Sequence, residues 1–281
     1  EIWPNMFNNL YKKKIPLILL NARITKKSFN KWKLFPNFSK KIFEKITIAL
    51  PQNIESKKYL KLLGTKNIKV VGNLKFFGGL QKENTKNLIL KKKFSKRIIF
   101  CAASTHPTEE LFIGRVHKEL KSEIKNLITI IIPRHINRKK EILDELNNIG
   151  LISQLHTSPK KLSKDTDIYI VDTYGETAKF YSLSKLTFLG GSLIPHGGQN
   201  PLESAREGNY IIYGPHIENF KEVYKILGKL KITTRVSSIK NMKSVVRQKI
   251  NFLQRNTVNK KLKYLGDKIL NKNLYEIKRF I

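Results

Sequence analysis

Short apolar runs alternate with amphipathic stretches along almost the whole chain. In the first part, IPLILLNAR (15–23), KITIAL (45–50) and NIKVVGN (67–73) read as strands, rich in β-branched residues and bounded by polar or turn-forming ones. Residues 25–45 and 53–63 read as helices. The second, NIESKKYLKLLG, keeps its apolar residues on one face and stops at Gly64. From residue 97 the alternation is cleaner. RIIFCAA, LITIIIP, DIYIVD, LTFLGG, YIIYG and KITTRV are strand candidates. Helix candidates lie between and after them: EELFIGRVHKELKSE, RKKEILDELNNIG, ETAKFYSLS, PLESARE and NFKEVYKILGKL. Strands and helices that take turns in this way predict a parallel sheet covered on both faces, hence an α/β fold. Residues 81–96 are polar and basic with no core-facing stripe, and read as a linker between two α/β units. The first unit, 1–80, looks incomplete. Residues 97–258 make the second, and 259–281 form a basic helical tail.

Composition changes this picture in one respect. The 281 residues carry a formal charge of +34, a field that favours polyanions. Only ten of the 55 basic residues are Arg, however, and Asn and Ile are abundant too. That bias reads as drift across the chain combined with a basic, membrane-facing surface. A polyanion-binding role is the alternative, and the scarcity of Arg argues against a dedicated nucleic-acid binder. The single cysteine, Cys101, lies in an apolar run and reads as a small core residue. It rules out an internal disulfide. No stretch reaches the ~18 apolar residues of a membrane span, and the first residues contain no signal-peptide core.

The chemistry concentrates at the carboxyl ends of the predicted strands, where ligands sit in open parallel sheets. LTFLGG ends on Gly190 and Gly191 and is followed by Ser192. Next come the flexible turn His196–Gln199 and then Asn200-Pro201-Leu202-Glu203. That tetrapeptide fits a capping box, with Asn200 as N-cap, Pro201 at the first helical position and Glu203 at N3. A cap does not need the two glycine pairs and the histidine that precede it. A site for a nucleotide phosphate would use them, with Glu203 accepting from ribose hydroxyls. Arg134 and His135 follow another strand, Ser104, Thr105 and His106 a third, and Asp172, Thr173, Gly175 and Glu176 a fourth. Each alone is explained as well by a cap or a solvated charge. Their convergence on one sheet edge favours a site. The six histidines are scattered, so no metal site is expected, and His216 in GPH reads as part of a turn.

GGSLIPHGGQNPLESA, followed by GPHIENF at 214–220, closely resembles the signature of the 3-deoxy-D-manno-octulosonic acid (Kdo) transferases of lipid A biosynthesis. EIWPN (1–5), part of LNARITKKSF, GNLKF (72–76), AASTHPTEE (102–110) and PRH (133–135) extend the resemblance over essentially the whole chain. It implies a GT-B type glycosyltransferase with two Rossmann-like domains, the first incomplete here. The implied reaction passes Kdo from CMP-Kdo to the lipid A precursor lipid IVA in lipopolysaccharide core biosynthesis, without a metal or other cofactor. By resemblance, the donor contacts are Lys75, Ser104, Arg134, Gly191, Ser192, Asn200 and Glu203. Glu1 and Arg23 fall on the acceptor side, and the tail packs back on the first domain. The implied location is the cytoplasmic face of the bacterial inner membrane, peripheral for this chain because no anchor segment is present. The general base belongs to a segment ahead of the WPN motif and has no counterpart here. The chain is therefore expected to be N-terminally truncated, completed by a partner, or inactive. Two other readings stay open: a GT-B transferase using another nucleotide sugar, and a non-catalytic polyanion- or membrane-binding remnant of the fold.

Overall fold

A computed structural model describes residues 2–78, 85–253 and 256–280. Residue contacts divide the chain into two compact units, 1–79 with 260–281, and 80–259.

In the first unit, helix α1 (Pro4–Lys12) precedes strand β1 (Ile18–Ala22), helices α2 (Lys26–Lys33) and α3 (Pro36–Phe43), strand β2 (Ile48–Pro51) and helix α4 (Ile54–Leu63). β1 and β2 pair in parallel, and Phe7, Ile42, Phe43, Ala49 and Leu60 are buried together. The single helix expected over 25–45 is two. Pro36 has no N–H to donate, and its ring pushes Phe35 out of the helical region, to φ −124° and ψ 69°. The expected strand at 67–73 reduces to one bridge, Ile68 to Ala49. α4 follows the sequence closely. Asn53 Oδ1 accepts the Ser56 N–H at 2.8 Å, and Gly64 closes the helix at φ +114°.

The second unit carries a parallel sheet of seven strands: β3 (Ile98–Thr105), β4 (Leu127–Pro133), β5 (Ser153–Leu155), β6 (Ile168–Ile170), β7 (Leu186–Leu189), β8 (Tyr210–Tyr213) and β9 (Thr233–Arg235). β5, polar and three residues long, carries too little pattern to be read from sequence. The spatial order is β5-β6-β4-β3-β7-β8-β9. From β3 the chain lays β4 beside it, then β5 at the edge and β6 between them, before it returns to start the other side at β7. The order therefore reverses between β3 and β7, and the crevice outside their carboxyl ends is where such sheets take ligands. Helices α6 (Glu109–Leu120), α7 (Lys139–Asn148), α8 (Thr177–Tyr181), α9 (Leu202–Arg206), α10 (Lys221–Lys229) and α11 (Ile239–Lys249) complete the unit. Phe100, Ile113, Val116, Ile131, Ile170 and Phe188 are wholly buried in its core, and Cys101 is buried as expected.

The residues read as a linker are otherwise. Residues 81–84 lie outside the described residues. Thr85–Lys93 is helix α5, with Leu90 buried, and Phe94 after it is buried edge-on against Tyr169 at 5.1 Å. This segment belongs to the second unit. The charge of α5 hid the few apolar contacts that fix it. The last helix, α12 (Asn256–Ile277), enters the first unit from Lys260 onward. There a Cβ on Gly266 would stand 2.3 Å from the Phe76 carbonyl oxygen, so only glycine lets the backbones approach this closely. Glu276 meets Lys69 Nζ at 2.9 Å.

Candidate functional site

Between β3 and β7 the crevice is built around one carboxylate. Glu109, the first residue of α6, is 1% exposed. Its oxygens accept four backbone N–H groups: His106 at 3.0 Å, Gly191 at 2.7 Å, Ser192 at 3.1 Å and Leu193 at 2.9 Å. Burial pushes the Glu109 carboxyl above its ordinary value, and the four donors work against that rise. The sequence suggested that the N–H groups of the GGS turn would face a ligand phosphate. Those of Gly191 and Ser192 are already taken by Glu109, as is that of Leu193 beyond them, and the Gly190 N–H donates to the Ala103 carbonyl at 2.9 Å.

Ser192 is likewise committed to the protein. Its hydroxyl, fully buried, donates to the Leu189 carbonyl at 2.5 Å and accepts the Gly214 N–H at 2.8 Å. The Ser192 carbonyl accepts the His216 N–H at 2.9 Å. The side chain expected among the donor contacts instead ties the exit of β7 to the exit of β8. Farther along, the Gly197 carbonyl accepts the Asn219 N–H at 3.0 Å, and the Gln199 carbonyl accepts from the Tyr224 hydroxyl at 3.4 Å. GPHIENF is thus the brace on which the glycine-rich loop rests. The two motifs are two sides of one clasp.

Close backbone approach explains the glycines. A Cβ on Gly190 would stand 2.3 Å from the Ser104 carbonyl oxygen, and one on Gly214 would stand 2.2 Å from that of Ser192. Gly191 has φ +62°. Across the crevice, β3 bulges at Ser104, whose φ is +54°, as the register to β4 skips from Ala103 to Thr105. A bulge at a strand end re-aims the residues that follow. Here it turns half-buried Ser104 and then His106 toward the β7 loop.

The predicted polar groups separate into two kinds. Arg134 is exposed just beyond β4. Its N–H donates to the Thr105 carbonyl at 2.9 Å, and its guanidinium forms no ion pair among the described residues. Glu203 is exposed on α9. Asn200 Oδ1 accepts the Leu202 N–H at 3.2 Å, and the helix starts at Leu202, one residue later than the expected capping box places it. The side chains of Arg134 and Glu203 are open to a ligand. Asp172 and Glu176 are not. Asp172 accepts the Thr157 N–H at 3.1 Å and hydroxyl at 2.7 Å and pairs with Lys139 at 3.0 Å. Burial opposes its charge, but these contacts hold the carboxyl below its ordinary value. Glu176 accepts from the Thr173 hydroxyl at 2.5 Å, meets His156 Nε2 at 3.1 Å and pairs with Lys179.

Lys75 and Arg23 belong to the first unit. Lys75 is exposed on a single 3-10 turn, Leu74–Phe76, whose start is fixed by the Lys75 N–H on Asn73 Oδ1 at 3.0 Å. Arg23 is exposed just past β1. Glu1 lies outside the described residues. Among the described residues no three or more His, Cys, Asp or Glu side chains are grouped to hold a metal ion. No described helix is long and apolar enough to cross a membrane. Sequence reasoning missed the role of Glu109. In the sequence it is one residue of AASTHPTEE, and its partners Gly191, Ser192 and Leu193 are more than eighty positions away.

Residues 1–77 match the family model of 3-deoxy-D-manno-octulosonic-acid transferase. The 3-deoxy-D-manno-octulosonic acid transferase of Rickettsia bellii is 33% identical over 244 residues, covering 85% of this chain and 57% of that protein. The chain therefore spans little more than half the length of that curated relative. Among solved structures, the C-terminal CMP-Kdo binding domain of WaaA from Acinetobacter baumannii superposes with a TM-score of 0.56 at 24% identity, covering 66% of this chain and 96% of that domain. Anabaena HepE, solved with UDP and glucose, matches 98% of this chain and 73% of its own at a TM-score of 0.54 and 8% identity. The architecture is that of the GT-B glycosyltransferases.

Proposed function

We propose that this chain, a homologue of the Kdo transferases over most of its length, holds the cytidine nucleotide of CMP-Kdo in the β3–β7 crevice and serves Kdo transfer to lipid IVA. One observation carries the reading. Exposed Arg134 past β4 and exposed Glu203 on α9, with half-buried Asn200 just before that helix, follow strand ends of the sheet whose glycine turn is held rigid by Glu109 and Ser192. A nucleotide monophosphate leaving group gains negative charge as the glycosidic bond breaks. A guanidinium placed beside that phosphate, as Arg134 would be, stabilises the charge more in the transition state than in the ground state. Rigidity matters because donors that need not reorganise lose less of that gain.

Isothermal titration tests the reading directly. CMP should bind, and Arg134→Ala and Glu203→Ala should each weaken it by about tenfold or more. Binding of UMP or UDP in place of CMP would move the chain to another nucleotide sugar.

The acceptor is a phosphorylated lipid, so the enzyme works at the cytoplasmic face of the inner membrane. The first unit offers a face suited to that surface. Residues 2–43 contain ten Lys and Arg and no acidic residue. At the elbow between α2 and α3, Leu34, Phe35 and Phe38 are 73%, 66% and 50% exposed, flanked by Lys31, Lys33, Lys40 and Lys41. Exposed apolar groups ringed by lysines match an anionic bilayer interface, where each well-placed cation contributes about 1 kcal/mol. A uniform compositional drift accounts for the lysines but not for the missing acids or the exposed aromatic rings.

A further inference from the structure

The donor reading leaves a histidine cluster at the same crevice unused. The rings of His106 and His196 are 4.2 Å apart between centroids, and His135 lies edge-on to His106 at 5.9 Å. His106 is 5% exposed, and its Nε2 is buried with no hydrogen-bond partner among the described residues. His196, on the β7 loop, is exposed. A Cβ built on Gly191 would lie 3.2 Å from both His106 Nε2 and His196 Nδ1, so the two nitrogens border the same small space against the loop. A buried polar atom left without a partner is costly, and a native structure that keeps one usually has a use for it.

The charges around the pair are unbalanced. Arg134, Arg138 and His135 face it from the β4 exit. On the acidic side, Glu109 is taken up by four N–H groups, and Glu110 is paired with Arg138 at 3.0 Å. Burial, followed by His196, His135, Arg134 and Arg138, pushes His106 down to about 4. Without an anion the cluster resists a further positive charge. A phosphate beside Arg134 would reverse that balance.

Building on the nucleotide reading, we propose that His106 and His196 form a proton-uptake pair for the donor phosphate. As the anion settles against Arg134 and the exposed edge of His196, the His196 imidazole takes one proton from solvent and becomes an imidazolium. One of its ring N–H groups faces the phosphate, and the other is accepted by His106 Nε2. His196 is the group that meets the ligand, and His106 is the positioning residue beneath it. The crevice would then bind its anionic ligand more tightly as the pH falls toward the ordinary histidine range of about 6.5.

Calorimetry of CMP binding to the chain, run at pH 7.5 in two buffers of contrasting ionisation enthalpy, counts the protons. CMP is then mostly dianionic, so its own titration contributes little. The wild type should take up about one proton per CMP bound. His196→Gln, at an exposed position, should keep the fold, abolish the uptake and weaken CMP binding by about tenfold at pH 7.5. His106→Gln should also abolish the uptake, an effect that a merely structural role would not produce. CMP binding without uptake, or uptake that survives in His196→Gln, overturns the pair and leaves the nucleotide reading standing. No CMP binding at all overturns both.

Discussion

Glu109 Oε2 accepts the Gly191 N–H at 2.7 Å, a bond between residues 82 positions apart that fixes the start of α6 against the exit of β7. Glu109→Ala removes the acceptor of four buried N–H groups. It should cost about 3–5 kcal/mol in urea or thermal unfolding. Glu109→Gln should recover part of this, because one amide oxygen still accepts while its NH2 faces donors. In both variants CMP affinity should fall along with stability, since the loop carrying His196 and Asn200 loses its anchor. Stability within about 0.5 kcal/mol of wild type in Glu109→Ala would show that the loop is held by something else.

Ser192→Ala separates a brace from a ligand contact. The buried hydroxyl bridges the Leu189 carbonyl and the Gly214 N–H, and its loss leaves a buried donor unsatisfied, at about 1–3 kcal/mol. With the fold intact at low temperature, CMP affinity should change by less than about threefold. A large loss of affinity without loss of stability would return Ser192 to the set of donor contacts.

Most of the sheet could be read from the sequence because buried parallel strands are continuous β-branched runs, as in LITIIIP, where every residue of β4 is buried. Gly190, Gly191 and Arg134 stand about the exits of β3, β4 and β7, as the strand-end pattern implied. What each residue does there was less legible, because local pattern carries no information on long-range partners. Ser192 and Asp172 resemble ligand groups until Gly214 and Lys139 are seen to occupy them. The expected linker failed for the opposite reason. Two buried apolar residues, Leu90 and Phe94, were enough to dock a segment that is otherwise charged.

Asp167 sets an acid limit on the second unit. It is 3% exposed, pairs with Lys121 at 2.8 Å, accepts the Ile152 N–H at 3.0 Å and stands 3.4 Å from His117 Nε2. Burial opposes its charge, but these partners outweigh it and hold the carboxyl well below the usual range. A depressed folded value means that the stabilisation is complete above the unfolded value of about 3.9 and is lost as the pH falls through the folded one. Asp167→Asn should therefore cost about 2–3 kcal/mol at pH 7, and its stability should fall less steeply than that of wild type below about pH 4. Equal slopes below that pH would assign the acid limit to other carboxylates.

The elbow between α2 and α3 offers a test of membrane docking that does not depend on catalysis. Replacing Leu34 and Phe35 together by Ser removes two largely exposed apolar side chains and leaves the backbone bond from the Ser39 N–H to the Phe35 carbonyl in place, so unfolding should be unchanged within about 0.5 kcal/mol. If the elbow enters the interface, each side chain contributes up to about 2 kcal/mol, and affinity for vesicles containing anionic lipid should fall by about 30-fold or more. Lys33→Glu together with Lys40→Glu should weaken the same binding, most clearly at low salt, because the Debye length of about 10 Å at 0.1 M leaves surface charges effective there. Sedimentation with vesicles of neutral and anionic composition reads all of these. Binding that depends on the lysines but not on Leu34 and Phe35 would make the face a general polyanion site. Equal binding to neutral vesicles would remove the electrostatic half of the argument.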